Sequence, residues 1–355
     1  MKRAMKRLLA FAAGAAVLFA GGAAFPCGGA FGTGVTVDPH QDIIVVWKDN
    51  VETYVFQPVF CGTATDFGLI LPVPSSLSQN PLLTDQQAFT TAAALSEPAK
   101  RRVNIHACAL VIGGGSSAGA KSATEDTTVV ASGRVGFLDW AELKADTESS
   151  FTDWLTANGY PYSTTSASVF SYYVQKGWYF IAFRINQEAA PGGGTICRAL
   201  GPVALSFPTP VPVVPSRMAS AGNSSVGYGE FSWRIFGITH GDAELAFSDG
   251  TDSNRVPMYS GAINAGDVPS FSGLATAGDR LTRLMLTFYP GSSDPDVGLT
   301  TATPKDYRGT EDVYVYDDSA CSLSRSDRLP HSPLLTLSGL AMFGLACWRR
   351  WRGAK

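Results

Sequence analysis

The chain predicts an α+β fold: antiparallel β-sheets with a short helical pair at about 146–176, an N-terminal signal peptide and a C-terminal hydrophobic helix. Three observations carry this reading. β-Branched and aromatic runs recur through the body, bounded by Gly, Pro, Asp and Asn clusters. Apolar residues at helical spacing concentrate in one stretch, between Asp146 and Gly177. Hydrophobic residues make up 45% of the 355 positions and charged residues only 16%, against about 25% charged in a typical globular chain. So apolar a chain can fill a core, which excludes wholesale disorder.

Taken in order, Ile43–Trp47 is a continuous apolar, β-branched run. Lys48-Asp49-Asn50 supplies turn chemistry and Val51–Phe56 is a second such run, which together read as a hairpin. Phe67–Leu71 is a further strand, expected to stop at Pro72-Val73-Pro74 because proline cannot donate to a ladder. Thr84–Leu95 is a helix candidate, Val103–Ile112 a strand, Gly113–Ala123 a Gly/Ser/Ala loop and Val129–Leu143 a strand-rich segment. Asp146 is placed to cap a helix whose Phe151, Trp154 and Leu155 share one face, and Asn158-Gly159 ends it. A second helix carries Phe170, Tyr173 and Val174 and ends at Gly177. Trp178–Ile185 is apolar on both faces, so it belongs in the middle of a sheet. After the loop Pro191–Gly194 come Val203–Phe207, a Pro-rich stretch over Pro208–Pro215, and strand-like runs at Phe231–Ile238, Leu284–Phe288 and Val313–Tyr316. No internal repeat is visible.

The charge is segregated. Residues 1–24 carry Lys2, Arg3, Lys6 and Arg7 with no acid. Residues 325–355 carry six cations and one acid, Asp327. The body between them holds 17 cations against 29 acids, a net of −12. An acidic body without a basic surplus argues against nucleic acid as the partner.

The two ends read as an address. A basic n-region, an apolar run from Leu8 to about Ala20 and the small residues Gly21 to Ala24 have the layout of a secretory signal peptide, with the cut after Ala24. Pro26 sits where a lipoprotein cut before Cys27 needs a small residue. At the other end, a polar spacer at 319–333 precedes the apolar run Leu334–Trp348 and the basic tail 349–355. Fifteen residues span ~22 Å as a helix, short of a bilayer core of about 30 Å. The arginines fit the cytoplasmic side. The membrane is therefore the expected partner, through this helix or through a lipid on Cys321. The exported body is divided into 25–218 and a β-rich segment 219–318.

Cys27, Cys61, Cys108 and Cys197 lie in the body. Export exposes them to oxidants, so two disulfides are expected, with three connectivities open. No C-x-x-C pair exists, which removes thioredoxin-like and zinc-ribbon readings.

Several motifs carry a family resemblance. They are Cys27-Gly28-Gly29, Asp66-Phe67-Gly68-Leu69-Ile70-Leu71-Pro72-Val73-Pro74, Trp154-Leu155, Asn158-Gly159-Tyr160, Gly177-Trp178-Tyr179-Phe180-Ile181, Pro202 and Leu205-Ser206-Phe207 with the Pro-rich stretch after it. In this order, over about 25–218, the chain resembles the secreted bacterial proteins of domain-of-unknown-function family 2330. The resemblance implies no assigned activity. The family's usual second Cys after Cys-Gly-Gly is replaced by Phe31-Gly32, and Leu69 stands where the family tends to have Trp. The tail resembles the C-terminal sorting signals of myxobacterial surface proteins, with a Cys, a short hydrophobic run and terminal arginines in Cys321, Leu334–Trp348 and Arg349-Arg350. That implies processing near Cys321 by a sorting enzyme and transfer to the surface. The charged spacer with Arg325, Asp327 and Arg328 departs from it and keeps a plain one-span anchor as the alternative.

Motifs for chemistry are sparse. Gly115-Ser116-Ser117-Ala118-Gly119 matches the nucleophile-elbow pattern, which would make Ser117 a nucleophile and His240 its partner. The residues after it give no apolar face for the helix an elbow needs, so a loop is the better reading. Asp249, Asp252 and Asn254 form the best oxygen-rich loop for calcium, without EF-hand spacing. The histidines have no zinc-site spacing, and no cofactor motif is present. Tyr160, Tyr162, Tyr172, Tyr173, Trp178 and Tyr179 read as core rather than as a stacking platform. The sum is an exported, membrane- or surface-anchored binding or structural envelope protein. The alternative is an extracytoplasmic serine hydrolase using Ser117.

Overall fold

The computed structural model describes residues 29–31, 40–57, 59–62, 68–105, 127–160, 162, 164–186, 196–199, 201–221, 230–289 and 296–316. The chain divides into two compact units, Met1–Lys100 with Ile112–Glu311, and Arg101–Val111 with Asp312–Lys355. The signal peptide, the Gly113–Ala123 loop and the C-terminal apolar run lie outside the described residues. Among those residues no helix is long and apolar enough to cross a membrane.

The first unit is a stack of four layers. Its larger sheet has eight strands in the order Tyr307–Arg308, Arg255–Ala262, Arg280–Phe288, Phe231–Thr239, His40–Lys48, Val51–Phe56, Val203–Pro208 and Leu82–Leu83. All neighbours are antiparallel except Phe231–Thr239 and His40–Lys48, which run parallel. The smaller sheet has five antiparallel strands, Gly29–Phe31, Gly68–Val73, Tyr179–Ile185, Leu138–Ala145 and Thr127–Val135. A three-stranded sheet joins Val213–Val214, Val297–Ala302 and Glu244–Phe247.

Alternation along the strands sets the layers, because successive side chains leave opposite faces. Ile43, Val45, Tyr54, Phe56, Leu205 and Trp233 of the large sheet meet Leu69, Leu71, Trp140, Ile181 and Phe183 of the small one in the main core. The outer face of the small sheet, with Ile70, Leu143, Phe180 and Ala182, is covered by α2 (Glu148–Ala157) and α3 (Thr164–Gln175) through Phe151, Leu155, Phe170 and Tyr173. The outer face of the large sheet, with Ile44, Val46, Val55, Phe236 and Ile238, is covered by α1 (Gln86–Leu95) through Ala88, Phe89 and Ala92, and by Ile263, Phe271 and Ala275.

The hairpin forms as the sequence predicts, with Asp49 and Asn50 both at positive φ (54° and 60°), the two-residue turn that matches strand twist. Tyr179–Ile185 is the central strand of its sheet. Three local expectations change. The strand expected to stop before Pro72 runs through it to Val73, with Pro72 opposite Phe180. Among the described residues Pro72 pairs with one strand, Tyr179–Ile185, so its missing N–H breaks no ladder bond there. The cap of α2 is Thr147, not Asp146: the Thr147 hydroxyl accepts from Ser150 N at 3.1 Å, and the Ser150 hydroxyl completes a capping box. Finally, the large sheet takes strands from both sides of residue 218, so within the first unit described chain from before and after that position shares one core.

In the second unit, the described residues are 101–105 of strand Ala99–Ile105 and 312–316 of strand Thr310–Tyr316. These strands form a two-stranded sheet. Arg101 grips Asp312 with both Nε and Nη2, at 2.7 and 2.8 Å.

Candidate functional site

A cleft of ≈ 160 Å³ opens in the first unit, where three remote pieces of sequence meet. The first is the 3-10 turn Ser216–Ala221 that follows the Pro-rich stretch. The second is the Asp252–Arg255 turn. The third is the end of strand Arg280–Phe288 with Tyr289. Two guanidinium groups line it, Arg217 and Arg255, with one carboxylate, Asp252.

Each charge has a distinct setting. Asp252 Oδ2 accepts from Arg255 Nη1 at 3.2 Å, and its Oδ1 accepts from Asn254 N at 2.7 Å. That carboxylate is spent on its own turn. Arg217 stacks on the Tyr172 ring at 4.2 Å, and its Nε is buried with no hydrogen-bond partner among the described residues. Lys176 Nζ also lies over the Tyr172 ring, at 4.3 Å, and over the Trp178 ring, at 4.8 Å. Next to Val297 of the cleft, Asp296 accepts from the Tyr173 hydroxyl, from Arg217 N at 3.1 Å and from Lys176 at 3.4 Å. Burial pushes the Asp296 carboxyl up, against the pull of Tyr173 and Lys176. Burial first and the Asp296 charge second push the Tyr173 phenol well up, so it stays a neutral donor. The Ser216 hydroxyl accepts from Val297 N at 2.9 Å. The lining is rich in donors and contains no His or Cys. Its chemistry suits a small polar ligand with acceptor atoms.

Of the residues singled out in the sequence, Asp252 and Asn254 line the cleft, and the others fall elsewhere or have structural work. Ser117, Cys27, Cys108 and Cys321 lie outside the described residues. His240, half-exposed, sits at the end of strand Phe231–Thr239, with Nε2 3.6 Å from Asp49 and Nδ1 3.9 Å from Asp279. Asp279 also accepts from Lys48, Thr276 N and the Thr276 hydroxyl. Burial opposes its charge, but these donors outweigh burial and hold it below the usual carboxylate range. Asp249 accepts from the Ser248 hydroxyl at 3.0 Å. Among the described residues no group of three or more His, Cys, Asp or Glu is placed to hold a metal. Cys61 and Cys197 lie in two short strands, Val59–Gly62 and Ile196–Ala199, opposite each other in the register.

Of the six aromatic residues, Tyr160 and Tyr173 are buried, and Tyr162, Tyr172 and Trp178 pack partly against the α2–α3 core. Tyr179 packs partly against the main core. Sequence reasoning did not pick out Arg217, Arg255 or Ser216. Their only local signal is the end of the Pro-rich stretch, because the cleft is assembled from segments far apart in the chain.

No curated protein and no solved structure matches the chain. A family described as an uncharacterized protein conserved in bacteria (DUF2330) matches residues 22–300. That span holds all the quoted body motifs and continues beyond them through every strand of the eight-stranded sheet except Tyr307–Arg308. The chain therefore belongs to this bacterial family, DUF2330.

Proposed function

We propose that this protein is exported and held at the bacterial envelope by its C-terminus, where the body serves by binding or as a structural element. The observation that carries the reading is the pair of basic-flanked apolar ends around an acidic body: Lys2–Arg7 before Leu8–Ala20, and Leu334–Trp348 before Arg349-Arg350. The donor-rich cleft at Arg217 and Arg255 supports binding as the body's mode of action, since two guanidinium groups beside one carboxylate, Asp252, favour a ligand with acceptor atoms. Cys321 is then the point of processing and of lipid attachment. One acyl chain holds a protein only marginally, so stable anchoring there needs two chains or more.

Fractionation of the native host with protease shaving of whole cells tests this reading. The body is expected in the membrane fraction and degraded by protease added outside. A body found entirely in the cytosolic fraction would overturn it.

A further inference from the structure

The strands Val59–Gly62 and Ile196–Ala199 form a two-stranded antiparallel sheet of their own. Its register sets Ile196 opposite Gly62, Cys197 opposite Cys61, Arg198 opposite Phe60 and Ala199 opposite Val59. The pairing carries on, offset by one residue, from the six-pair ladder between Val51–Phe56 and Val203–Pro208 in the large sheet. That longer ladder restricts how the short strands meet. A ribbon of four residues a side is marginal in water on its own.

We propose that Cys61 and Cys197 are joined by a disulfide across this ribbon. The inference rests on the export reading, which puts the body where thiols are oxidised. Residues opposite each other in an antiparallel ladder share a face, with Cα atoms about 4.5 or 5.5 Å apart. Both spacings fall inside the range of about 4.4–6.8 Å that a disulfide bridges. Of the three connectivities open to the four body cysteines, this register selects the one that leaves Cys27 with Cys108. In the oxidation the two thiols give up two protons and two electrons, and one sulfur–sulfur bond forms. The electrons pass through a mixed disulfide to a disulfide-bearing thiol oxidant of the envelope, which leaves as the dithiol. The bridge closes a loop of roughly 135 residues that contains α1, α2, α3 and the central strand of the five-stranded sheet. Long loops gain most from closure.

The test uses the full-length chain in two preparations. One is extracted from the native host with thiols trapped by alkylation. The other is purified, reduced and re-oxidised in glutathione buffer. Non-reducing peptide mapping of both should link Cys61 with Cys197, in a pair that disappears on reduction. Cys61→Ser should abolish the pair and leave Cys197 open to alkylation, while the double variant Cys27→Ser/Cys108→Ser should keep it. Reduction should lower the melting temperature of that double variant by at least about 5 °C, and the further change Cys61→Ser should remove this shift. Cys61 or Cys197 linked to Cys27 or Cys108 overturns the proposal, as do free thiols at both positions after re-oxidation. A pair that forms in the purified protein but is free in the host supports the pairing and overturns the export reading instead.

Discussion

Glu52 has no solvent exposure and lies in the large sheet between Trp47 and Phe207. Its Oε2 accepts from Val213 N at 2.7 Å, whereas Oε1 is buried without a partner among the described residues. Desolvation pushes its carboxyl well above 4.5, and the single backbone donor only partly opposes that. The folded carboxyl therefore stays protonated after the unfolded chain has ionised. Glu52 costs nothing below its unfolded value of 4.5, and stability is lost as pH rises from there toward the folded value. Melting temperature measured from pH 4.5 upward should fall less steeply in Glu52→Gln, which keeps an acceptor for Val213 and cannot ionise. Identical pH slopes in the two proteins would contradict this. Glu52→Ala should destabilise by about 1–3 kcal/mol, because Val213 N–H loses its acceptor.

At the scale of elements, α2 is the clearest test of local chemistry. Thr147→Ala should cost about 1 kcal/mol in urea unfolding, and Asp146→Ala only a few tenths, because Thr147 makes the capping box. Equal losses would contradict that assignment. Asp and Thr are both good caps, and only the bond from Ser150 to Thr147 separates them. Elements with a strong period were legible: Ile43–Phe56 as a hairpin, Phe151 with Leu155 and Phe170 with Tyr173 as helix faces, and Tyr179–Ile185 as a buried strand. Strands without a period were not. Arg255–Ala262 carries Pro257 and shifts register between Pro257 and Tyr259, so its side chains do not alternate cleanly. Glu244–Phe247 has only four residues, too few to show a period. The cleft was illegible for another reason: Arg217, Asp252 and Tyr289 meet only through the tertiary fold.

For the whole molecule, the parallel pairing of Phe231–Thr239 with His40–Lys48 matters most. It runs from Ser232–His40 to Ile238–Val46 and joins chain from before and after residue 218 inside one sheet. The quoted motifs end near 218, yet the family match continues to 300, in step with that sheet. A fragment ending at 218 leaves one flank of His40–Lys48 open and uncovers Ile43 to Val46, which are buried in the full chain. Such a fragment should show no cooperative melting by circular dichroism, and a sharp transition would contradict a shared core. The central claim concerns the ends: export, processing near Cys321 and anchoring at the envelope. Its most direct measurement is the intact mass of the membrane-extracted protein from the native host, beside Cys321→Ala. The expected mass lacks residues 1–24 and those after about 321 and carries lipid, while Cys321→Ala keeps its arginine-rich end. A mass that includes Trp348 to Lys355, carries no lipid and is indifferent to Cys321→Ala would contradict the account.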